Sequence, residues 1–101
     1  MNLSEEKLAT LYKLCPDLKE AIEQSTNPEI YSVSWTTTTE KEGFVSKVYF
    51  CLSSETVFPN TEYFAKRFVI SSYTSKPVKS RAIAKNHATK KVRTLKNFLG
   101  L

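Results

Sequence analysis

Hydrophobic positions along this chain change period twice. Leu8, Leu11, Tyr12 and Cys15 stand at i, i+3, i+4 and i+7, and Leu18, Ala21 and Ile22 continue an apolar side to about residue 24. Ser4 is placed as a helix cap, with Glu5 and Glu6 in the first turn complementing the helix dipole. Leu3 and Leu8 flank that cap as a hydrophobic staple. Pro16 ends the first segment and fits the first turn of a second. Two short helices and one kinked helix both satisfy this pattern; residues 1–15 then form an extra N-terminal helix or its first arm. Cys15 reads as a small core hydrophobe.

After Ser25, Thr26, Asn27 and Pro28, a cluster of breakers, the period falls to two. Tyr31, Val33 and Trp35 alternate with Ser32, Ser34 and Thr36, which predicts a strand. Residues 36–39 are all threonine and have no apolar face, so a ribbon or loop leaving the sheet is expected there. Residues 40–43 make a turn. A second strand follows over 44–53, with Phe44, Ser46, Val48, Phe50 and Leu52 on one side and Val45, Lys47, Tyr49 and Cys51 on the other. Both sides carry apolar residues, which leaves the inward side open. Pro59, Asn60 and Thr61 turn the chain into a third strand over 63–72, where Phe64, Phe68 and Ile70 oppose Tyr63, Ala65, Arg67 and Val69.

The helical period returns in residues 76–101. Ala84, Ala88, Val92, Leu95 and Leu99 form one stripe, Lys79 or Ser80 stands near the start just after Pro77, and Gly100 stands at the stop. Consecutive strands with short connections pair antiparallel, and the helices must bury their stripes on one sheet face. The expectation is an α+β, two-layer domain of order α-β-β-β-α spanning residues 1–101. One hundred and one residues with 41% hydrophobic content suffice for a core. No apolar run approaches the roughly 20 residues that span a bilayer. No signal-peptide pattern opens the chain, and two cysteines do not suggest a disulfide scaffold. An intracellular setting, cytoplasmic or nuclear, and no membrane partner are therefore expected.

Charge changes the picture most. Fifteen Lys and Arg face ten Asp and Glu, a net charge of +5. Lys76, Lys79, Arg81, Lys85, Lys90, Lys91, Arg93 and Lys96 are eight of those cations, in a segment with no carboxylate. The remaining seven cations precede it with all ten acids, so the bulk carries −3 and the tail +8. A one-sided cationic helix is an electrostatic footprint for a polyanion, nucleic acid before anionic membrane.

The stretch Ser80-Arg81-Ala82-Ile83-Ala84-Lys85-Asn86-His87-Ala88-Thr89 resembles the last-helix motif of the double-stranded RNA-binding domain family, Ser-Lys-Lys-x-Ala-Lys-x-x-Ala-Ala. Ser80, Ala84, Lys85 and Ala88 match, Arg81 replaces a like charge, and Lys79 stands in for the lysine that is Ala82 here. Pro28-Glu29-Ile30-Tyr31 is similar to the family's Pro-x-Tyr strand opening with one extra residue. The version of the motif also looks like that of the C-terminal domains in Dicer and ribonuclease III proteins. The family's Gly-Pro-x-His turn between its first two strands is replaced by residues 37–44, which keep a glycine but no proline or histidine.

The resemblance implies a non-catalytic module for RNA processing or silencing that binds double-stranded RNA by shape and phosphate contacts. Lys79, Arg81 and Lys85 would contact phosphate across the major groove, with Ser80 as cap and Lys76 nearby. Thr38, Thr39 and Lys41 of the loop, and Gln24 with Glu20 and Glu23 of the early helix, would reach flanking minor grooves. A-form duplexes hide their base edges in a deep, narrow major groove, so recognition by backbone shape follows physically.

No catalytic residue, metal site or cofactor is expected. His87 lies within the helix motif and reads as a helix-surface or packing residue, and Cys15, Cys51 and His87 are too scattered for a zinc site of the usual pattern. A second reading is a protein-interaction domain, as homodimer or with another partner, using the sheet side that bears Val45, Tyr49 and Cys51. A DNA-binding helix is a third reading, without a visible helix-turn-helix pair.

Overall fold

The computed structural model describes residues 3–58 and 64–101. Two helices open the chain, α1 (Glu5–Leu14) and α2 (Pro16–Glu23). Ser4 caps α1, its hydroxyl accepting from the Lys7 amide at 3.2 Å. Pro16 occupies the first turn of α2, where a missing amide hydrogen costs nothing, and so divides the two. Leu11, Cys15 and Leu18 are buried, and Leu3 and Leu8 pack partly against the same core. Burial pushes the Cys15 thiol above its ordinary pKa, and its Sγ donates to the Val69 carbonyl at 3.7 Å.

Three antiparallel strands follow in the order β1-β2-β3: β1 (Glu29–Glu40), β2 (Gly43–Ser53) and β3 (Ala65–Val69). β1 pairs with β2 from Glu29↔Ser53 to Glu40↔Gly43. The four threonines therefore stay in the sheet rather than leaving it as a ribbon. β propensity and an unbroken ladder hold them there without an apolar face of their own. Near its start β1 carries a bulge between Ile30 and Ser32. Tyr31 is the extra residue and lies 51% exposed, while Ile30 takes the buried place. A bulge shifts the alternation by one, so Tyr31 does not share the face of Val33 and Trp35.

The inward side of β2 is Ser46, Val48, Phe50 and Leu52, all almost fully buried. Val48, Phe50 and Leu52 join Val33, Phe68 and Ile70 in one core with α1, α2 and the final helix, α3 (Arg81–Leu99). α3 lays Ala84, Ala88, Val92 and Leu95 on the sheet, the stripe expected from the sequence. Its C-terminal half meets α1, where Lys7 Nζ donates to the Phe98 carbonyl at 2.9 Å. Gly100 closes the helix at φ 75°, a left-handed value that suits glycine.

β3 is shorter than the expected 63–72. Residue 63 and the turn expected at Pro59, Asn60 and Thr61 lie outside the described residues. At the other end, Ser71–Tyr73 form a single 3-10 turn. Beyond that turn the chain rejoins β2. Ser75 N donates to the Ser46 carbonyl at 3.0 Å, and the Ser46 amide donates to Ser75 Oγ at 2.9 Å. Farther along, Phe44 and Val78 exchange both backbone hydrogen bonds, at 2.7 and 3.0 Å. The segment between β3 and α3 thus continues the third strand along the far half of β2.

Candidate nucleic-acid interface

Two features set the start of α3, one tertiary and one local. Val78 is held to Phe44, and Ser80 takes an extended conformation and caps the helix, its Oγ accepting from the Ile83 amide at 3.5 Å. Arg81 is then the first helical residue. The three helices differ at this position. α1 opens with Glu5 and Glu6 and α2 has Asp17 in its first turn, as the positive end of a helix dipole favours. α3 has no acid in its first turn and begins with a cation behind Lys79. A cation there opposes the dipole by about 0.3–1 kcal/mol, and local conflicts of this kind concentrate at functional sites.

Arg81 is held by the hairpin. Its guanidinium carbon lies 5.0 Å from the centre of the Phe44 ring, and Nη2 donates to Thr39 Oγ1 at 3.4 Å. Phe44 and Thr39 are direct cross-strand partners at the end of the β1–β2 hairpin. Gly43, between that pair and the two-residue turn, has φ 140°, and a Cβ there would stand 2.5 Å from the Val78 carbonyl oxygen. The close approach of the two backbones therefore requires glycine.

One end of the sheet thus collects Lys76 and Lys79 from the joining segment, Ser80, Arg81 and Lys85 from α3, and Thr38, Thr39 and Lys41 from the hairpin. All are exposed except Ser80, which is half-buried beneath its cap bond. Thr38 Oγ1 donates to Glu40 Oε1 at 3.2 Å. Gln24 is not part of this cluster. It caps the C-terminal end of α2, donating to Glu20 Oε1 at 3.2 Å, just before β1 begins. The length of β1 separates it from the hairpin turn, roughly 35 Å at a strand's rise per residue. Glu20 and Glu23 lie at that far end too.

The cations of the remaining helix are not equivalent. Lys91 is half-buried and tied to the end of the 3-10 turn, its Nζ donating to the Tyr73 carbonyl at 3.3 Å and lying 5.3 Å from the Tyr73 ring. Lys90 and Arg93 are exposed. Lys96 is eleven residues past Lys85, close to three turns, and so shares its flank of the helix. His87 is exposed on the helix surface.

The sheet side away from the helices bears Val45, Lys47, Tyr49 and Cys51. Val45 and Tyr49 are only 8% and 6% exposed, and Arg67 lies over the Tyr49 ring at 4.9 Å. The apolar residues that alternation alone assigns to that side are therefore largely withdrawn from solvent. Burial also raises the Cys51 thiol pKa.

Sequence reasoning missed Phe44, Gly43, Ser75 and Val78 as parts of this end. A glycine directly after a charged turn was the only local signal. Their roles depend on an aromatic seat and a backbone bridge between segments some thirty residues apart. Comparison of the chain with protein-family models, with curated proteins and with solved structures finds no match in any of the three.

Proposed function

We propose that this chain is a double-stranded RNA-binding module, non-catalytic in itself, that grips the duplex backbone with the basic end of the sheet. The observation that carries this reading is the start of α3. Among the described helices it alone begins with a cation, Arg81, behind a second, Lys79, and it places them beside its first backbone amides and a hydroxyl-lined hairpin. Amides and dipole at a helix N-terminus favour phosphate, and Lys79 and Lys85 add charge on either side of that point. Hairpin hydroxyls at Thr38 and Thr39 suit phosphate oxygens and the 2′-hydroxyl, the group that distinguishes RNA from DNA. The motif resemblance over residues 80–89 supports the same reading, and a parent protein in RNA processing or silencing is part of it.

The test is a titration with duplex RNA, duplex DNA and single-stranded RNA of equal length at two salt concentrations. Duplex RNA should bind most tightly, without sequence preference, and its affinity should fall steeply with salt. Equal affinity for RNA and DNA duplexes would count against recognition by shape.

A protein-interaction role is the second reading, and one observation extends its surface to β3. Val57, Phe64 and Val69 are 48%, 54% and 46% exposed. Val69 pairs directly across from Tyr49, so a partner on that sheet face would meet Val69 beside it. Val69→Glu should then abolish any concentration-dependent association seen by sedimentation; a strictly monomeric wild type at all concentrations would remove self-association.

A further inference from the structure

Among the cations at the basic end, one stands apart. Lys76, Lys79 and Lys85 are exposed, and among the described residues none of their ammonium groups has a hydrogen-bond partner or an aromatic ring beneath it. Arg81 has both, from Thr39 and Phe44. Phe44 is in turn bridged to Val78, three residues before Arg81. The contacts close a ring running from the hairpin through the joining segment to α3 and back. Every other link in that ring is backbone. Among the described residues, the Arg81 side chain is the link that the helix contributes to this ring, apart from its buried stripe.

We infer that Arg81 is a positioning residue rather than a phosphate ligand, and that it sets the preference for A-form over B-form duplex. This rests on the reading of the basic end as a duplex-RNA interface. The resemblance assigns Arg81 to phosphate contact, as it does Lys79 and Lys85; the geometry here gives it another task. A guanidinium seated over a ring and hydrogen-bonded at its edge is more restricted than a lysine ammonium on a flexible stem. Held this way, the hairpin carrying Lys41 keeps a fixed separation from the α3 start carrying Lys79 and Lys85. The two duplex forms present their phosphates at different groove widths. Contact groups at fixed separation discriminate between such spacings, whereas a hinged pair adapts to either.

The experiment compares Arg81→Lys, Phe44→Leu, Arg81→Gln and Lys85→Gln. Each is measured for affinity to equal-length RNA and DNA duplexes across a salt series and, without nucleic acid, for amide hydrogen exchange. Lys85→Gln should weaken RNA and DNA binding by the same factor, up to about tenfold. It should also lower the salt slope by about 0.7–0.9 and leave exchange unchanged. Arg81→Lys should keep the salt slope but reduce the RNA-to-DNA preference several-fold. Exchange should quicken at the Phe44 and Val78 amides and not in the central core, and Phe44→Leu should do the same.

Wild-type behaviour of Arg81→Lys, with Arg81→Gln matching Lys85→Gln, makes Arg81 a phosphate ligand and overturns the inference. Exchange that is unchanged, or faster throughout the domain, also overturns it. If the wild-type protein binds neither duplex, the interface reading and the assigned preference fall together. The exchange comparison still decides separately whether Arg81 fastens the hairpin.

Discussion

The two halves of α3 are built for different tasks. The N-terminal half touches the sheet through alanines, Ala84 and Ala88, which allow a close approach and bury little area. Beyond the Arg81–Phe44–Thr39 contact, the next same-face pair in the sheet is Thr37 and Ser46. Both have a buried hydroxyl with no protein hydrogen-bond partner among the described residues. The C-terminal half buries Val92 and Leu95 in the main core and packs Phe98 and Leu99 partly against it. Stability is thus concentrated in the second half, while the first is fastened by a cap, a backbone bridge and one stacked guanidinium. A helix end held by its rim rather than by bulk packing can carry a cluster of like charges without disturbing the core.

Four substitutions test that division, beginning with the most damaging. Ala84 is fully buried, and Ala84→Glu should place an uncompensated charge there. A loss on the order of 3–5 kcal/mol is expected, enough to remove cooperative unfolding in a marginal domain. An unchanged urea midpoint would mean that the helix can lift at this end, and would break the picture of close contact. Leu95→Ala, in the other half, should cost about 2–5 kcal/mol through lost burial and a residual cavity. At temperatures where the variant is still folded, its duplex affinity should equal that of wild type. A matching fall in affinity would show the halves to be coupled.

Gly43→Ala is next. Its backbone angle and the Val78 carbonyl both resist a side chain, so about 1–3 kcal/mol is expected. Exchange should quicken first at the Phe44 and Val78 amides. A stable variant with those amides still protected would show that the hairpin bridge is not strained by the added carbon. Ser46→Ala should have the smallest effect, within about 1 kcal/mol and of either sign, because it removes a hydroxyl that has no protein partner to lose. A loss like that of Leu95→Ala in chemical denaturation would instead place Ser46 at a structural contact as important as the core.

Much of this architecture was legible in the linear pattern. Local rules decide a cap at Ser4, a break at Pro16, a turn before Gly43 and a stop at Gly100, and the structure has each of them. The α3 stripe and the segregation of its cations are periodic and compositional, so the sequence alone shows them too. The fold class follows from those elements, because three strands in succession and helices with one apolar side have few ways to bury themselves.

Tertiary structure decided the rest, where non-local pairing overrode local preference. The threonines of 36–39 joined the sheet because β2 supplies a complete ladder, an interaction invisible in a run with no apolar face. Tyr31 left the core because a bulge shifts the register by one, and Ile30 and Tyr31 are both acceptable to a pattern of period two. Tyr49 is covered because Arg67, from the paired strand, lies over its ring. Lys79, Arg81, Lys85 and Lys41 share one end of the molecule only because residues 75–78 rejoin β2. Gln24, expected from the resemblance at a flanking minor groove, lies at the other end because β1 runs the full length between them. Charge and period are properties of a chain read in order, whereas the seat of Arg81 on Phe44 exists only once two distant backbones have met.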